Sequence, residues 1–170
     1  DQWVFQNPDF LPVFAAGNDG ADMNRDGVVD EGSVSSPGTA KNVLTVGASK
    51  NFLMEGGIQR MISETRLKDK MPAEPLASSK FSEDARGMAA FSSRGPAADG
   101  RLKPEVVAPG TNIVAARNHH PKAKPEDSWG IYDDFYLFMG GTSMATPVTA
   151  GAMALIRQYL IQKTNAPTVS

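Results

Sequence analysis

Ser143 stands in Gly140-Gly141-Thr142-Ser143-Met144-Ala145-Thr146-Pro147, directly ahead of the small apolar run Val148 to Ile156. A serine between glycines and a long periodic segment is placed where a helix begins. Helix starts offer unpaired backbone N–H groups and the positive end of the helix dipole. Those features steady a developing oxyanion in acyl transfer, so Ser143 is a candidate nucleophile. The paired glycines let backbone approach closely, and Pro147 reads as a first-turn proline whose missing N–H costs no helical bond. The same local pattern also fits a plain Ser/Thr cap before a buried helix. Asn18 is the second candidate: a side-chain amide donor in the turn Gly17-Asn18-Asp19-Gly20, which closes the apolar run Leu11 to Ala16. Ligands of open α/β sheets bind beyond the carboxyl ends of the strands, where this turn lies. Taken alone, such a turn is equally a simple reversal of the chain.

A serine nucleophile needs a base for its proton and an acid to orient that base. After Ser143 the chain holds no Asp, Glu or His. A nucleophile elbow of the Gly-x-Ser-x-Gly kind, which Gly141 to Ala145 nearly matches, takes its acid and histidine from downstream and is therefore disfavoured. Upstream, the histidines are His119 and His120, in the polar stretch Arg117 to Lys122, which nothing in the sequence fixes in space. They read as solvated loop residues, and the base is expected to lie outside this chain.

A third cluster suggests a hard cation. Asp22, Asn24, Asp26 and Asp30 fall at loop positions 1, 3, 5 and 9, with Gly27 at the sharp turn and the Val28 carbonyl at 7, the pattern of a calcium loop. Position 12 is Ser33 instead of a bidentate Glu, so a weak, extracellular type of calcium site is expected; the alternative is a polar surface loop.

The elements that must carry these groups are short. Leu11 to Ala16, Val43 to Ala48 and Glu105 to Ala108 are continuous apolar runs closed by turn residues. With a long terminal helix they favour an α/β fold, a mostly parallel sheet covered by helices on both faces. Asn112 to Ala116 and Tyr136 to Met139 are expected to pair as a hairpin that delivers the chain to Gly140, with Arg117 to Asp134 as its outer loop. Asp1 to Phe5 reads as the tail of a helix. Phe52 to Arg86, charged in its middle and without a sustained period, reads as a surface insertion with a short helix near Ile58 to Lys68. At 170 residues, 41% hydrophobic and 21% charged, the chain suits one globular domain or part of one. A net charge of −2 gives no basic footprint for nucleic acid. No apolar run approaches the ~18 residues of a membrane span, and the absence of cysteine excludes disulfides and thiol chemistry.

Five blocks then fall into a known order: Val13 to Gly20, Pro37 to Ala48, Phe91 to Pro96, Lys103 to Gly110 and Gly140 to Pro147. Together they resemble the subtilisin-like serine proteases, the subtilases, and their wording is most similar to the oxidatively stable alkaline protease branch. The resemblance implies that Ser143 is the nucleophile and Asn18 the oxyanion-hole side chain, with the Ser143 N–H as second donor. It implies that Ala15, Ala16 and Gly17 wall the pocket for the residue before the cut bond, that Asp19 lies at its floor or rim, that Met144 is buried beside the serine, and that Ser36-Pro37 is cis. The family's Asp-(Thr/Ser)-Gly and His-Gly-Thr-His blocks are absent here. The chain thus resembles the C-terminal half of a catalytic domain, and the missing N-terminal half is its implied partner. A secreted endopeptidase acting on protein or peptide substrates is the expectation; the alternative is a non-catalytic, calcium-stabilised module of the same fold.

Overall fold

The computed structural model describes residues 1–120 and 122–164. A short helix, α1 (Gln2–Gln6), leads into strand β1 (Val13–Ala15). Strands β2 (Leu44–Ser49) and β3 (Val106–Pro109) complete a three-stranded parallel sheet in the order β1-β2-β3. Register pairs Ala15 with Val46 and Val46 with Val106. The central strand β2 is buried from Thr45 to Ala48, which is why it reads as an unbroken apolar run. Strand β1 is an edge of this sheet and shorter than the run that announces it.

The hairpin is present. β4 (Ile113–Ala116) pairs antiparallel with β6 (Tyr136–Met139), and a two-residue strand, β5 (Gly130–Ile131), adds to the far side of β6. β6 ends one residue before Gly140, and helix α2 (Thr142–Thr164) begins at once and crosses all three parallel strands. Ser143 is thus the second residue of a helix, and Ala145 is fully buried beneath it. Pro147 is the sixth residue, so its place is beyond the first turn, and it withholds the N–H that would otherwise meet the Ser143 carbonyl.

Three expectations need correction. The sheet is not covered on both faces: Phe14 and Val107, which share one face by register, are 36% and 50% exposed. The helix expected near Ile58 to Lys68 is only a 3₁₀ turn at Ile62–Glu64 within a run of turns. The 52–86 segment, expected as a surface insertion, drives Ile62, Met71 and Phe81 into the main core beside Val46, Ala48 and Phe91. Its apolar residues are spaced too irregularly for either period, so the pattern conceals a segment that buries side chains from turns.

A charged pair staples β2 to β3. The Lys103 side chain is fully buried; its Nζ meets the Glu105 carboxylate and donates to Thr45 Oγ1 at 3.0 Å. Glu105 also accepts the Thr45 N–H at 2.8 Å. Burial works to raise the Glu105 carboxyl, but the hydrogen bonds from Lys103 and Thr45, with the lysine's charge, outweigh it and hold the group below the usual carboxylate range. The folded state therefore prefers the ionised form. This contribution to stability is complete above the unfolded value of ~4.3 and is lost as pH falls through the lower folded value. Glu105→Gln is expected to destabilise the fold at pH 7, and the gap between it and wild type should close as denaturation is repeated at increasingly acid pH. A gap of constant size would show that ionisation of Glu105 is irrelevant.

Candidate active site

At the end of β1 the chain turns through Gly17 at φ 110, a conformation that glycine adopts without strain. This turn is fastened to the start of α2 by one residue. Thr142, fully buried, accepts the Gly17 N–H on Oγ1 at 3.3 Å. Its own N–H and hydroxyl both donate to Asn18 Oδ1, at 2.9 and 3.1 Å. The first N–H of a helix has no partner within the helix; here a side chain from a distant strand end supplies one. With Oδ1 engaged twice, the orientation of the Asn18 amide is fixed, and among the described residues its Nδ2 donates to no protein acceptor.

Ser143 is exposed, and its hydroxyl forms no hydrogen bond among the described residues. Gly141, at φ 138, leaves an open space in front of it. A Cβ placed on Gly141 would lie 3.3 Å from Asn18 Nδ2 and 3.7 Å from Ser143 N. Two uncommitted donors therefore border the same vacant volume beside the serine, an arrangement suited to an oxygen that gains negative charge.

The remaining residues singled out in the sequence take these places. Ala16 is buried and donates its N–H to Val46 O; Ala15 and Gly17 are half-buried beside it. Ser93 holds this wall in place, its N–H donating to Gly17 O and its hydroxyl accepting the Asp19 N–H at 3.1 Å. The Asp19 side chain is exposed. Met144, expected to be buried, is only half so. Ser36-Pro37 is cis. Neither histidine is bonded to Ser143: His119 packs edge-on against Phe135, and His120 Nδ1 accepts the Lys122 N–H. Thr142 and Ser93 escaped sequence reasoning, since one buried hydroxyl among many small residues carries no periodic signal.

The comparisons agree with this geometry. The model of the subtilase family matches residues 3–169. The chain belongs to the subtilase family. It is 35% identical over 144 residues to the serine protease AprX of Bacillus subtilis, covering 85% of this chain and 25% of that protein. It is 30% identical to the PIII-type proteinase of Lactococcus lactis subsp. cremoris, over 78% of this chain and 6% of the relative. The chain thus spans a quarter or less of the length of these two relatives. A solved structure, the prenylagaramide maturation protease PagA, shares the fold at a TM-score of 0.53 and 20% identity, covering 99% of this chain and 42% of that one.

In this subtilase the loop that follows the oxyanion turn is closed by its own side chains. Asp22, 1% exposed, accepts the Asp26 N–H on Oδ1 and the Gly27 N–H on Oδ2. Asn24 Oδ1 also accepts the Asp26 N–H. Asp26 Oδ1 accepts the Val28 N–H, and Asp30 Oδ2 the Met23 N–H. Among the described residues no group of three or more Asp, Glu or His is placed to share one ion. Asp22 is therefore first a backbone anchor. Asp22→Ala should strand two N–H groups and cost about 2–4 kcal/mol in chemical denaturation with chelator present; a loss below ~0.5 kcal/mol would show that water replaces the carboxylate freely.

Proposed function

We propose that the protein is a serine endopeptidase in which Ser143 Oγ attacks the carbonyl carbon of a peptide bond. The observation that carries this reading is the convergence of Asn18 Nδ2 and Ser143 N on the space bared by Gly141. In the step proposed, the Ser143 proton passes to a base, and the carbonyl oxygen takes up negative charge between the two N–H donors. The C–N bond then breaks with return of the proton to the departing amine, and water hydrolyses the acyl ester. Base and acid belong to a segment outside these 170 residues, which the chain needs as its partner. Ala15, Ala16 and Gly17, with Asp19 at the rim, receive the side chain before the cut bond. Protein or peptide substrates met outside the cell suit such chemistry, in keeping with the alkaline protease branch. No described helix is long and apolar enough to cross a membrane.

In the full-length protein, Ser143→Ala is expected to abolish peptide cleavage and labelling by a fluorophosphonate. Asn18→Ala should lower kcat by about 10²–10³ with little change in KM; that figure is the loss known for a side-chain oxyanion donor in subtilisin itself and is taken over from there. A change confined to KM would make Asn18 a binding or turn residue. The 170-residue chain alone should not label, because an unassisted hydroxyl is a weak nucleophile.

The second reading, a non-catalytic module of the same fold, draws on the lack of any histidine bonded to Ser143 among the described residues. Full-length protein that is folded yet inert to fluorophosphonate would favour it.

Calcium is proposed as a structural ion for the loop Asp22 to Asp30. Asp22, Asn24, Asp26 and Asp30 and the Val28 carbonyl would hold it, each carboxylate keeping lone pairs beyond those its N–H partners use. If calcium binds only the folded form, saturation at ~100 times Kd adds about 2.7 kcal/mol. Millimolar calcium should therefore raise the melting temperature of wild type but not of Asp26→Ala; identical melts with calcium and with chelator would leave a polar loop closed by hydrogen bonds.

A further inference from the structure

A cavity of about 380 Å³ opens beside the oxyanion corner, with Asn18, Gly140 and Gly141 on one side of it. Its floor is aromatic. Trp129 lies 4.8 Å from Phe81 and meets Phe91 edge-on at 6.0 Å, and both phenylalanines are 4% exposed, so the floor is held by the core. Arg60, Arg66 and Glu64 rim the mouth from the 52–86 segment, and Glu126 from the loop before β5. Most of this lining lies outside the five sequence blocks. None of the wall residues Ala15, Ala16, Gly17 or Asp19 contributes to it. A second depression shares Ile58, Arg60 and Trp129 with the first and continues to Gly130 and Ile131, the strand β5 at the edge of the antiparallel sheet. The two form one groove that starts at the proposed oxyanion donor and leads away from the wall proposed for the acyl side.

We propose that this groove receives the departing-amine half of the substrate, and that the pocket over Trp129, Phe81 and Phe91 selects a large apolar or aromatic side chain among the first residues after the cut bond. The inference rests on the endopeptidase reading. A carbonyl whose oxygen lies at Asn18 and whose acyl side chain lies against Ala15 to Gly17 has its amine half directed along the other border of Asn18, where the groove begins. An apolar floor beneath a rim of mixed charge suits a side chain that enters buried while the flanking peptide stays solvated. Gly140 makes the pocket possible through space alone: a Cβ there would stand 2.1 Å from the Trp129 ring.

The test uses the full-length protein and peptides with a constant acyl half and one varied residue at each of the first three positions beyond the bond. At one of these positions phenylalanine should exceed glycine in kcat/KM by about tenfold or more. In Trp129→Ala the ratio should fall towards one, and Phe81→Leu, a milder change, should lower it in the same direction. Cleavage that requires Ser143 but shows no such preference in wild type, or a preference undiminished in both variants that melt cooperatively, overturns the groove while the endopeptidase reading stands. No cleavage of any peptide by wild type overturns both.

Discussion

The start of helix α2 and the end of strand β1 are held together by two donors on one acceptor, the N–H and the hydroxyl of Thr142 on Asn18 Oδ1. Net contributions of about 1 kcal/mol per bond would be small beside the burial of α2 on the sheet. Their importance is geometric. Engaging the amide oxygen leaves the amide nitrogen as the outward group, and engaging the first helical N–H fixes the turn on which Ser143 is carried. The glycine at φ 138 between β6 and the helix is what allows the chain to reach that position. Remove the fastening and strand end, helix start and serine can drift independently, with each element still folded.

Much of this arrangement is legible from residue patterns. The continuous run Val43 to Ala48 announces a central strand because β2 is buried along its middle, and Gly140 marks the passage from hairpin to helix because no other residue leaves room there. What stays hidden has physical causes. Phe52 to Arg86 looks peripheral because its buried residues, Ile62, Met71 and Phe81, hang from turns that obey no period. Thr142 is invisible since a hydroxyl declares no partner until the fold brings one within reach. The loop from Asp22 to Asp30 advertises oxygen ligands correctly, yet sequence cannot say whether lone pairs are turned towards a cation or towards the loop's own N–H groups. Here many of them meet N–H groups. Spacing also misplaces Pro147, because the helix begins five residues before it.

The core and the candidate site are continuous. Phe91 belongs to the buried cluster with Val46 and Ala48, and it also supports Trp129, which covers Gly140 next to the serine turn. A substitution that loosens this aromatic group would change both packing and the shape of the surface beside Ser143. Close-packed interiors transmit such changes because few voids exist to absorb them. The buried Lys103 staple is the counterpart at the other end of the sheet, where polar groups replace apolar ones between the same strands.

Asn18 and Thr142 are separated by 124 residues in sequence. At synthesis rates of roughly 5–20 residues per second, Thr142 is added roughly 6–25 s after Asn18. Throughout that interval β1 and β2 can pair, but the amide of Asn18 has no helix to orient it and the serine has not been made. Long-range closure of this kind is also slow to form once the chain is complete, because loop entropy must be lost before the contact rewards it. The chain is therefore assembled in an order that withholds the finished corner until the last helix docks, so a growing polypeptide cannot turn the chemistry proposed for it on its neighbours.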